Sequence, residues 1–227
     1  MKEIKGLIKK DLLNLASYKS TLIIVIICVC IVGSMSQSAI NYIPIMMTTM
    51  IGMIALSTFS YDEIAKSDKY ILSLPTNKKE VVLEKYILVI ACIFIGAILG
   101  FTITPIIINS INYFNQGNNI DIDYNLLLTT TVGGIFGISV VSSIQIPSIY
   151  KWGAERGRIQ MFILIFGLIA IIGGIGYLLA KSNININFNM FNNFLDKFGL
   201  ILLIGISCII HYISYKIAYK IYLKEEN

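Results

Sequence analysis

Hydrogen-bonding side chains are concentrated in one apolar stretch of this chain, residues 126–146. Because an unpaired polar group is costly in hydrocarbon, such a helix is expected to face protein or water rather than lipid. The chain holds no HExxH or GxSxG motif, and no histidine or carboxylate is paired with these hydroxyls, so no catalytic, cofactor-binding or metal-ligating residue is predicted. We interpret five of the side chains as candidates for lining a translocation path: Thr130, Ser139, Ser142, Ser143 and Gln145.

The histidine and the cysteines also lie in apolar stretches. His211 stands near the inner end of the last stretch without an acidic partner, and we interpret it as structural. Cys28, Cys30, Cys92 and Cys208 lack metal-ligand spacing and are interpreted as small hydrophobic residues. No Asp or Glu occurs in the apolar cores, which argues against coupling to protons or other ions. An intramembrane enzyme is disfavoured because the sequence shows neither a nucleophile paired with a base nor metal-ligand spacing in these stretches.

Six apolar stretches must position these side chains: residues 20–35, 43–59, 86–108, 126–146, 159–180 and 198–217. Each is close to the roughly 20 residues that a helix needs to cross a bilayer. Of the 18 Lys and Arg residues, 16 lie before the first stretch, in the second and fourth gaps, or from residue 216 onward. Since basic residues stay on the cytoplasmic side, the sequence predicts an all-α, polytopic membrane protein with six transmembrane helices and both termini in the cytoplasm.

The predicted layout assigns every part of the chain to a span or a short loop. It comprises an interfacial helix (1–19), spans one and two (20–59), a first cytoplasmic loop (60–85), spans three and four (86–146), a second cytoplasmic loop (147–158), spans five and six (159–217) and a cytoplasmic tail (218–227). No separate soluble domain fits, so we expect any large cytoplasmic machinery to come from another polypeptide. The net charge of +5 follows from the loop bias and suits acidic lipid head groups rather than nucleic acid.

The segment before the first span is amphipathic. One helical face carries Ile4, Leu7, Ile8, Leu12 and Leu15, and another carries Lys2, Lys5 and Lys9. This pattern predicts a helix that lies along the inner membrane surface, with its lysines also acting as a topology signal.

The first cytoplasmic loop carries helix signals. Ser60 with Glu63 fits a capping box, which predicts a short helix from residue 61 towards residue 74. Pro75 breaks that helix, and Asn77 with Glu80 offers a second cap that leads into the third span. A short exposed helix at this place is suited to contact with a soluble partner, although a solvated charged connector has the same composition.

Small residues and prolines mark places where helices pack or bend. Gly96 with Gly100, and Gly133 with Gly137, form GxxxG spacings that allow close helix approach, either within one subunit or between two. Prolines at positions 44 and 105 are expected to begin or bend helices, and the proline at position 147 opens the second loop.

Two loop segments carry a family resemblance. The stretch FSYDEIAKSDKYILSLP at residues 59–75, followed by KEVVLEKY at residues 79–86, resembles bacterial type-2 ABC transporter permeases. The second loop, with Tyr150, Trp152 and Gly153 among its basic residues, is similar to the loop before the fifth span in a compact branch of that family. The resemblance covers essentially the whole chain.

The resemblance implies a permease subunit that pairs with a second permease, identical or related, and with two cytoplasmic ATPase subunits. In that family the loop after the second span supplies a coupling helix, which corresponds here to residues 61–74. The implied ATPase-coupling residues are Tyr61, Asp62, Glu63, Lys66, Asp68, Lys69, Tyr70 and Pro75. The implied secondary cytoplasmic contact consists of Lys151, Trp152, Glu155, Arg156 and Arg158. The chain has no GxxxxGK[ST] loop, so ATP and magnesium are expected in the partner ATPase alone.

The same branch points to a substrate class and a location. Its members resemble exporters of amphipathic or antimicrobial peptides in the bacterial plasma membrane, so peptide export is the leading expectation. Two alternatives remain open: an ATP-independent carrier or channel, and a regulatory or immunity membrane protein that does not transport. Lipids and small hydrophobic antibiotics also remain open as substrates.

Overall fold

The computed structural model consists of α-helices, and the residues that it describes contain no β-strand. It describes residues 2–16, 19–34, 39–65, 78–114, 120–157 and 189–224, together with short stretches between 159 and 174. The helices of seven or more residues are α1 (Lys2–Ala16), α2 (Lys19–Ser34), α3 (Ala39–Leu56), α4 (Thr58–Ile64), α5 (Lys78–Phe114), α6 (Tyr124–Trp152) and α7 (Asn189–Lys224). The predicted all-α class is confirmed.

Four described segments are long and apolar enough to cross a bilayer. They are Ile40–Ile64, which joins α3 and α4, Lys78–Phe114, Tyr124–Trp152 and Phe198–Lys224. They match the predicted second, third, fourth and sixth spans. The predicted first span corresponds to α2, which has 16 residues and passes the same test only together with α1, from which it is bent by 62°. Most of the predicted fifth span lies outside the described residues.

Helix α3 packs closely between α5 and α6. A Cβ atom added to Gly100 of α5 would lie 2.9 Å from the Cα atom of Pro44, and one added to Gly96 would lie 3.0 Å from that of Thr48. Only glycine allows backbones to approach this closely. The predicted GxxxG pair in α5 therefore packs within the chain. In α6 the glycine that contacts α3 is Gly134, whereas Gly133 and Gly137 have open space around the Cβ position.

One end of the bundle gathers α1, α4, the start of α5 and the C-terminal ends of α6 and α7. We call it the basal end. The ring centroids of Phe59 and Tyr150 are 5.6 Å apart there, and those of Tyr150 and Tyr222 are 5.4 Å apart. Edge-to-face contacts of this kind stabilise aromatic clusters. The first and second predicted cytoplasmic loops thus meet at the same end of the molecule.

Two helix boundaries differ from the prediction. Helix α4 begins at Thr58 rather than at residue 61, and Ser60 lies inside it. The expected capping box is wrong because the chain continues from α3 through a single turn at Ser57, whose side chain makes no capping bond. Helix α6 continues through Pro147 to Trp152, and residues 154–157 form a further helical turn, so most of the predicted second loop is helical. Helix α5 is described from Lys78 onward, and the residue of the second predicted cap, Asn77, lies outside the described residues.

The face of helix α1 that packs against the bundle carries both apolar and charged side chains. Leu7 and Leu15 are buried, and Asp11 between them is completely buried. Leu12 and Leu13 are 54% and 64% exposed. The packed stripe advances by four residues per step, so it leaves Leu12 to one side, where the other helices do not cover it.

Candidate functional site

A buried ion cluster joins three helices at the basal end. The Lys85 ammonium of α5 forms ion pairs with Asp11 of α1 and, at 2.5 Å, with Asp62 of α4. The Lys85 side chain is 5% exposed and the Asp11 side chain is fully buried. Because removing one partner from a buried ion pair leaves an uncompensated charge, each of these residues depends on the others. The cluster therefore fixes α1 and α4 against the same point on α5.

Further groups complete this ion cluster. Lys10 of α1 also reaches Asp62, at 2.6 Å, from a partly exposed position. The Phe59 ring lies 5.1 Å from the Lys85 ammonium, at a distance that suits a cation–π contact. The buried Glu84 carboxyl lies beside that of Asp11, and its Oε1 atom has no hydrogen-bond partner among the described residues. The cluster thus combines three carboxyl groups with two ammonium groups.

A second link joins α4 to the chain segment that follows α6. The Glu63 carboxylate accepts a hydrogen bond of 2.5 Å from the backbone N–H of Ala154. The chain can turn there because Gly153 has a φ angle of 83°, which favours glycine, and its N–H still reaches the Ile149 carbonyl. Glu63 thus caps the backbone of the second loop. This bond connects the two segments that the sequence analysis treats as separate ATPase contacts.

A polar cavity of about 430 Å³ lies beside this link. It is bounded by Phe59, Asp62 and Glu63 on one side. On the other side lie the C-terminal end of α6 and the turn that follows it, between Ile149 and Arg156. On the rim, the Lys151 ammonium lies 4.2 Å from the Trp152 ring centroid, and the Trp152 side chain is 40% exposed. Ile64, the last residue of α4, is 79% exposed. The cavity and its rim can receive a protein partner that presents apolar and acidic side chains.

The polar side chains of α6 face neighbouring helices, as expected from the sequence. The Thr130 hydroxyl donates to the Ile40 carbonyl of α3, at 3.2 Å, and shares its proton with the Leu127 carbonyl of its own helix, at 3.0 Å. Because Pro44 has no N–H, the Ile40 carbonyl lacks its usual helical donor four residues later. Thr130 supplies that missing donor from another helix.

The same arrangement recurs near the basal end of α6. Pro147 leaves the Ser143 carbonyl without its helical donor, and the Ser214 hydroxyl of α7 donates to that carbonyl at 2.6 Å. The Tyr86 hydroxyl of α5 lies 2.5 Å from the Ser214 hydroxyl oxygen, so the three helices share one hydrogen-bonded chain. This explains why α6 continues through Pro147 and is not broken there.

His211 lies in the middle of this polar region. Its Nδ1 atom is 3.1 Å from the Ser207 carbonyl oxygen, and its Nε2 atom is 3.4 Å from the Ser142 hydroxyl. The residue is buried, and the expectation that no histidine lies beside these hydroxyls is wrong, because the sixth predicted span packs against the fourth. An apolar cavity of about 350 Å³ opens between α5, α6 and α7, with Ser139 and His211 in its wall.

The structure places the sequence-predicted residues in different settings. Asp62 is buried in the ion cluster, Glu63 is exposed and binds the Ala154 N–H, and the predicted path residues are largely buried between helices: Thr130, Ser139, Ser142, Ser143 and Gln145. Of the predicted secondary contact, Lys151, Trp152, Glu155 and Arg156 are exposed. Five of the predicted coupling residues and one predicted secondary contact lie outside the described residues: Lys66, Asp68, Lys69, Tyr70, Pro75 and Arg158.

Sequence reasoning missed the centre of the ion cluster. Asp11 stands four residues after Leu7 and four before Leu15, so an acidic residue on the packed stripe of an amphipathic helix was the available signal. Lys85 was assigned only to the end of the first cytoplasmic loop. Its pairing with Asp11 joins residues 74 positions apart, and no local pattern specifies such a contact.

Comparison with known proteins gives one family match. A family model described as ABC-2 family transporter protein matches residues 6–223. The matched range includes the ion cluster, both halves of the Glu63–Ala154 link and all of α6. No curated protein and no solved structure matches the chain significantly.

Proposed function

Because the chain belongs to the ABC-2 family of transporter proteins, and is thus a multi-pass membrane component of an ABC transporter, we propose that it is the permease subunit of an ATP-driven exporter. Separate ATPase subunits dock at the basal end and hydrolyse the ATP. The permease acts as a pair, with a second copy or a related chain. The basal end faces the cytoplasm of a bacterium.

The observation that carries this proposal is the hydrogen bond between Glu63 and Ala154. It joins the end of α4 to the second loop, so the two segments present one surface to a partner. That surface carries exposed Ile64, Trp152 and Arg156 beside a cavity. Tryptophan and arginine are the residue types most enriched in the energetic centres of protein interfaces. Movement of a bound ATPase would push on α4 and α6 together.

The apolar cavity between α5, α6 and α7 supports amphipathic peptides as the substrate class. Its volume of about 350 Å³ lies in the range of ligand pockets, and its wall is apolar except for a few groups such as Ser139 and His211. An apolar side chain of a peptide fits such a wall, while the hydroxyls can hydrogen-bond its backbone. Binding that differs between two conformations of the permease pair would let ATP drive transport in one direction.

Affinity purification of the tagged full chain from its native membrane tests the coupling part of the proposal. We expect an ATPase with a Walker motif to co-purify, and we expect Ile64→Asp to abolish this association by placing a charge in an apolar contact. Tyr113→Asp is the matched control, because Tyr113 is 80% exposed at the opposite end of α5. Unchanged association with Ile64→Asp would refute the assigned docking surface.

The substrate class is tested with inverted membrane vesicles and a fluorescent amphipathic helical peptide. The proposal expects uptake that depends on ATP and is blocked by vanadate. Uptake without ATP would instead indicate a carrier or channel. A wild-type chain that purifies alone, with no uptake, would favour a regulatory or immunity role.

A further inference from the structure

Lys85 is a single buried ammonium on which two helices from different parts of the chain depend. Its carboxylate partners are Asp11 in α1 and Asp62 in α4. The apolar contacts of α1 on either side of this point are Leu7, which packs on Val81, and Leu15, which joins the main core. Helix α1 therefore docks by an ionic contact with α5, with an apolar side chain of the same stripe packed on either side of it.

The ion pair between Asp11 and Lys85 opposes a displacement of α1 more strongly than its apolar contacts do. Sliding or lifting α1 away would uncover Leu7 and Leu15, and it would separate the fully buried Asp11 from the Lys85 ammonium, which would keep Asp62 as its ion-pair partner. An uncompensated buried charge costs several kcal/mol. Lys10 adds a direct tie from α1 to Asp62 at 2.6 Å. Separation of α1 from α4 is therefore opposed by two lysines acting on one carboxylate.

We propose that Asp11 and Lys85 are positioning residues that bind α1, α4 and the start of α5 into one mechanical unit. In the transport cycle the amino-terminal helix then moves together with the coupling segment, and a displacement of α4 reaches the third span directly through Lys85. This inference rests on the proposed function only in taking α4 as a segment that contacts the ATPase. The tie between the helices stands on the ion cluster itself.

The tie is tested by spin-label distance measurement on the full chain in lipid nanodiscs. Labels are placed at Leu13→Cys in α1 and Ala65→Cys after α4, both exposed positions, in a background in which the four native cysteines are replaced by alanine. We expect a single narrow distance distribution for the otherwise unchanged chain. Asp11→Asn should shift it to longer distances, and Lys85→Arg should preserve it because the cation is retained.

Two neighbouring lysines provide a matched pair that does not depend on a severe core substitution. Lys10 contacts Asp62, whereas the side chain of its neighbour Lys9 is exposed. Lys10→Met is expected to broaden the α1–α4 distribution, and Lys9→Met is expected to leave it unchanged. If Asp11→Asn fails to fold, this pair still decides the question. Equal behaviour of Lys10→Met and Lys9→Met would overturn the proposal.

A functional readout separates a mechanical tie from simple packing. The readout is the ATPase rate of the complex divided by the ATPase rate of the co-purified ATPase alone. Lys10→Met should change this ratio by about threefold or more, while the subunits remain associated. An altered distance with an unaltered ratio would overturn the mechanical role. If no ATPase co-purifies with the wild-type chain, the proposed function fails, and the α1–α4 distances alone decide whether the two helices form one unit.

Discussion

The Ser214 hydroxyl of α7 donates a hydrogen bond of 2.6 Å to the carbonyl oxygen of Ser143 in α6. That carbonyl has no helical donor, because Pro147 occupies the position four residues later. The hydroxyl therefore repairs a break in α6 and at the same time holds α7 against it. Polar groups in this membrane protein serve first to complete the backbone bonding of neighbouring helices.

Ser214→Ala should destabilise the protein by about 1–3 kcal/mol, because it leaves the Ser143 carbonyl and the Tyr86 hydroxyl without their shared partner. The measurement is thermal unfolding of the full chain in detergent. Ser110→Ala is the control, since that exposed hydroxyl bonds only within its own helix. Equal unfolding midpoints for the two variants would contradict the assigned role of Ser214.

Thr130→Val should lower stability by about 1 kcal/mol, because the Ile40 carbonyl loses the donor that replaces the missing N–H of Pro44. Thr129→Val is a matched neighbour whose hydroxyl bonds inside α6, and it should have little effect. Both are compared by unfolding and by peptide uptake. A loss of uptake in Thr130→Val without any loss of stability would show that the hydroxyl lines the path instead.

Gly100→Ala should destabilise the α3–α5 contact by about 1–3 kcal/mol, because the added Cβ would lie 2.9 Å from a backbone atom of Pro44. Gly137→Ala should leave the stability of the isolated chain unchanged or slightly higher, since its Cβ position is open and alanine favours a helix. Unfolding in detergent compares the two. A larger loss in Gly137→Ala would mean that this face of α6 is packed by another chain.

Gly153→Ala should weaken the junction between α4 and the second loop. A φ angle of 83° strains a residue with a Cβ atom, and that atom would lie 2.9 Å from the Glu63 carboxylate oxygen. The expected cost is about 1–3 kcal/mol, with reduced co-purification of the ATPase. Gly205→Ala in α7, where nothing lies near the Cβ position, is the comparison. Full ATPase binding by a destabilised Gly153→Ala chain would argue against this junction as the docking surface.

Glu84→Gln should be tolerated, whereas Asp62→Asn should not. The ion cluster has three carboxyl groups and two ammonium groups, so it is electrically balanced when Glu84 carries a proton, and glutamine resembles that neutral form. Asp62 holds two ammonium groups, and its neutralisation should cost about 3 kcal/mol. Unfolding midpoints at neutral pH test this difference. A larger loss from Glu84→Gln would show that Glu84 is a charged member of the cluster.

Several sequence predictions erred where a neighbouring helix changed the local preference. The proline at position 147 predicts a helix end, yet α6 continues because Ser214 supplies the missing donor. Ser60 and Glu63 predict a capping box, yet Glu63 binds the backbone of Ala154 and the helix begins earlier, at Thr58. In the first case a group from another helix satisfied the backbone, and in the second a distant backbone group took the carboxylate that the local rule assigned to the cap.

The sequence by itself determined that this protein is an all-α membrane protein, where four of its spanning helices lie and to which transporter family it belongs. The first two properties follow from the apolarity of each segment, because a helix bonds its own backbone and its length is set by the bilayer, whereas the family was indicated by the resemblance of the two loops. Only the tertiary structure decided that Asp11 meets Lys85 and that Glu63 meets Ala154, across separations of 74 and 91 residues. Such pairings depend on how helices pack, and packing is a property of the whole chain rather than of any one segment.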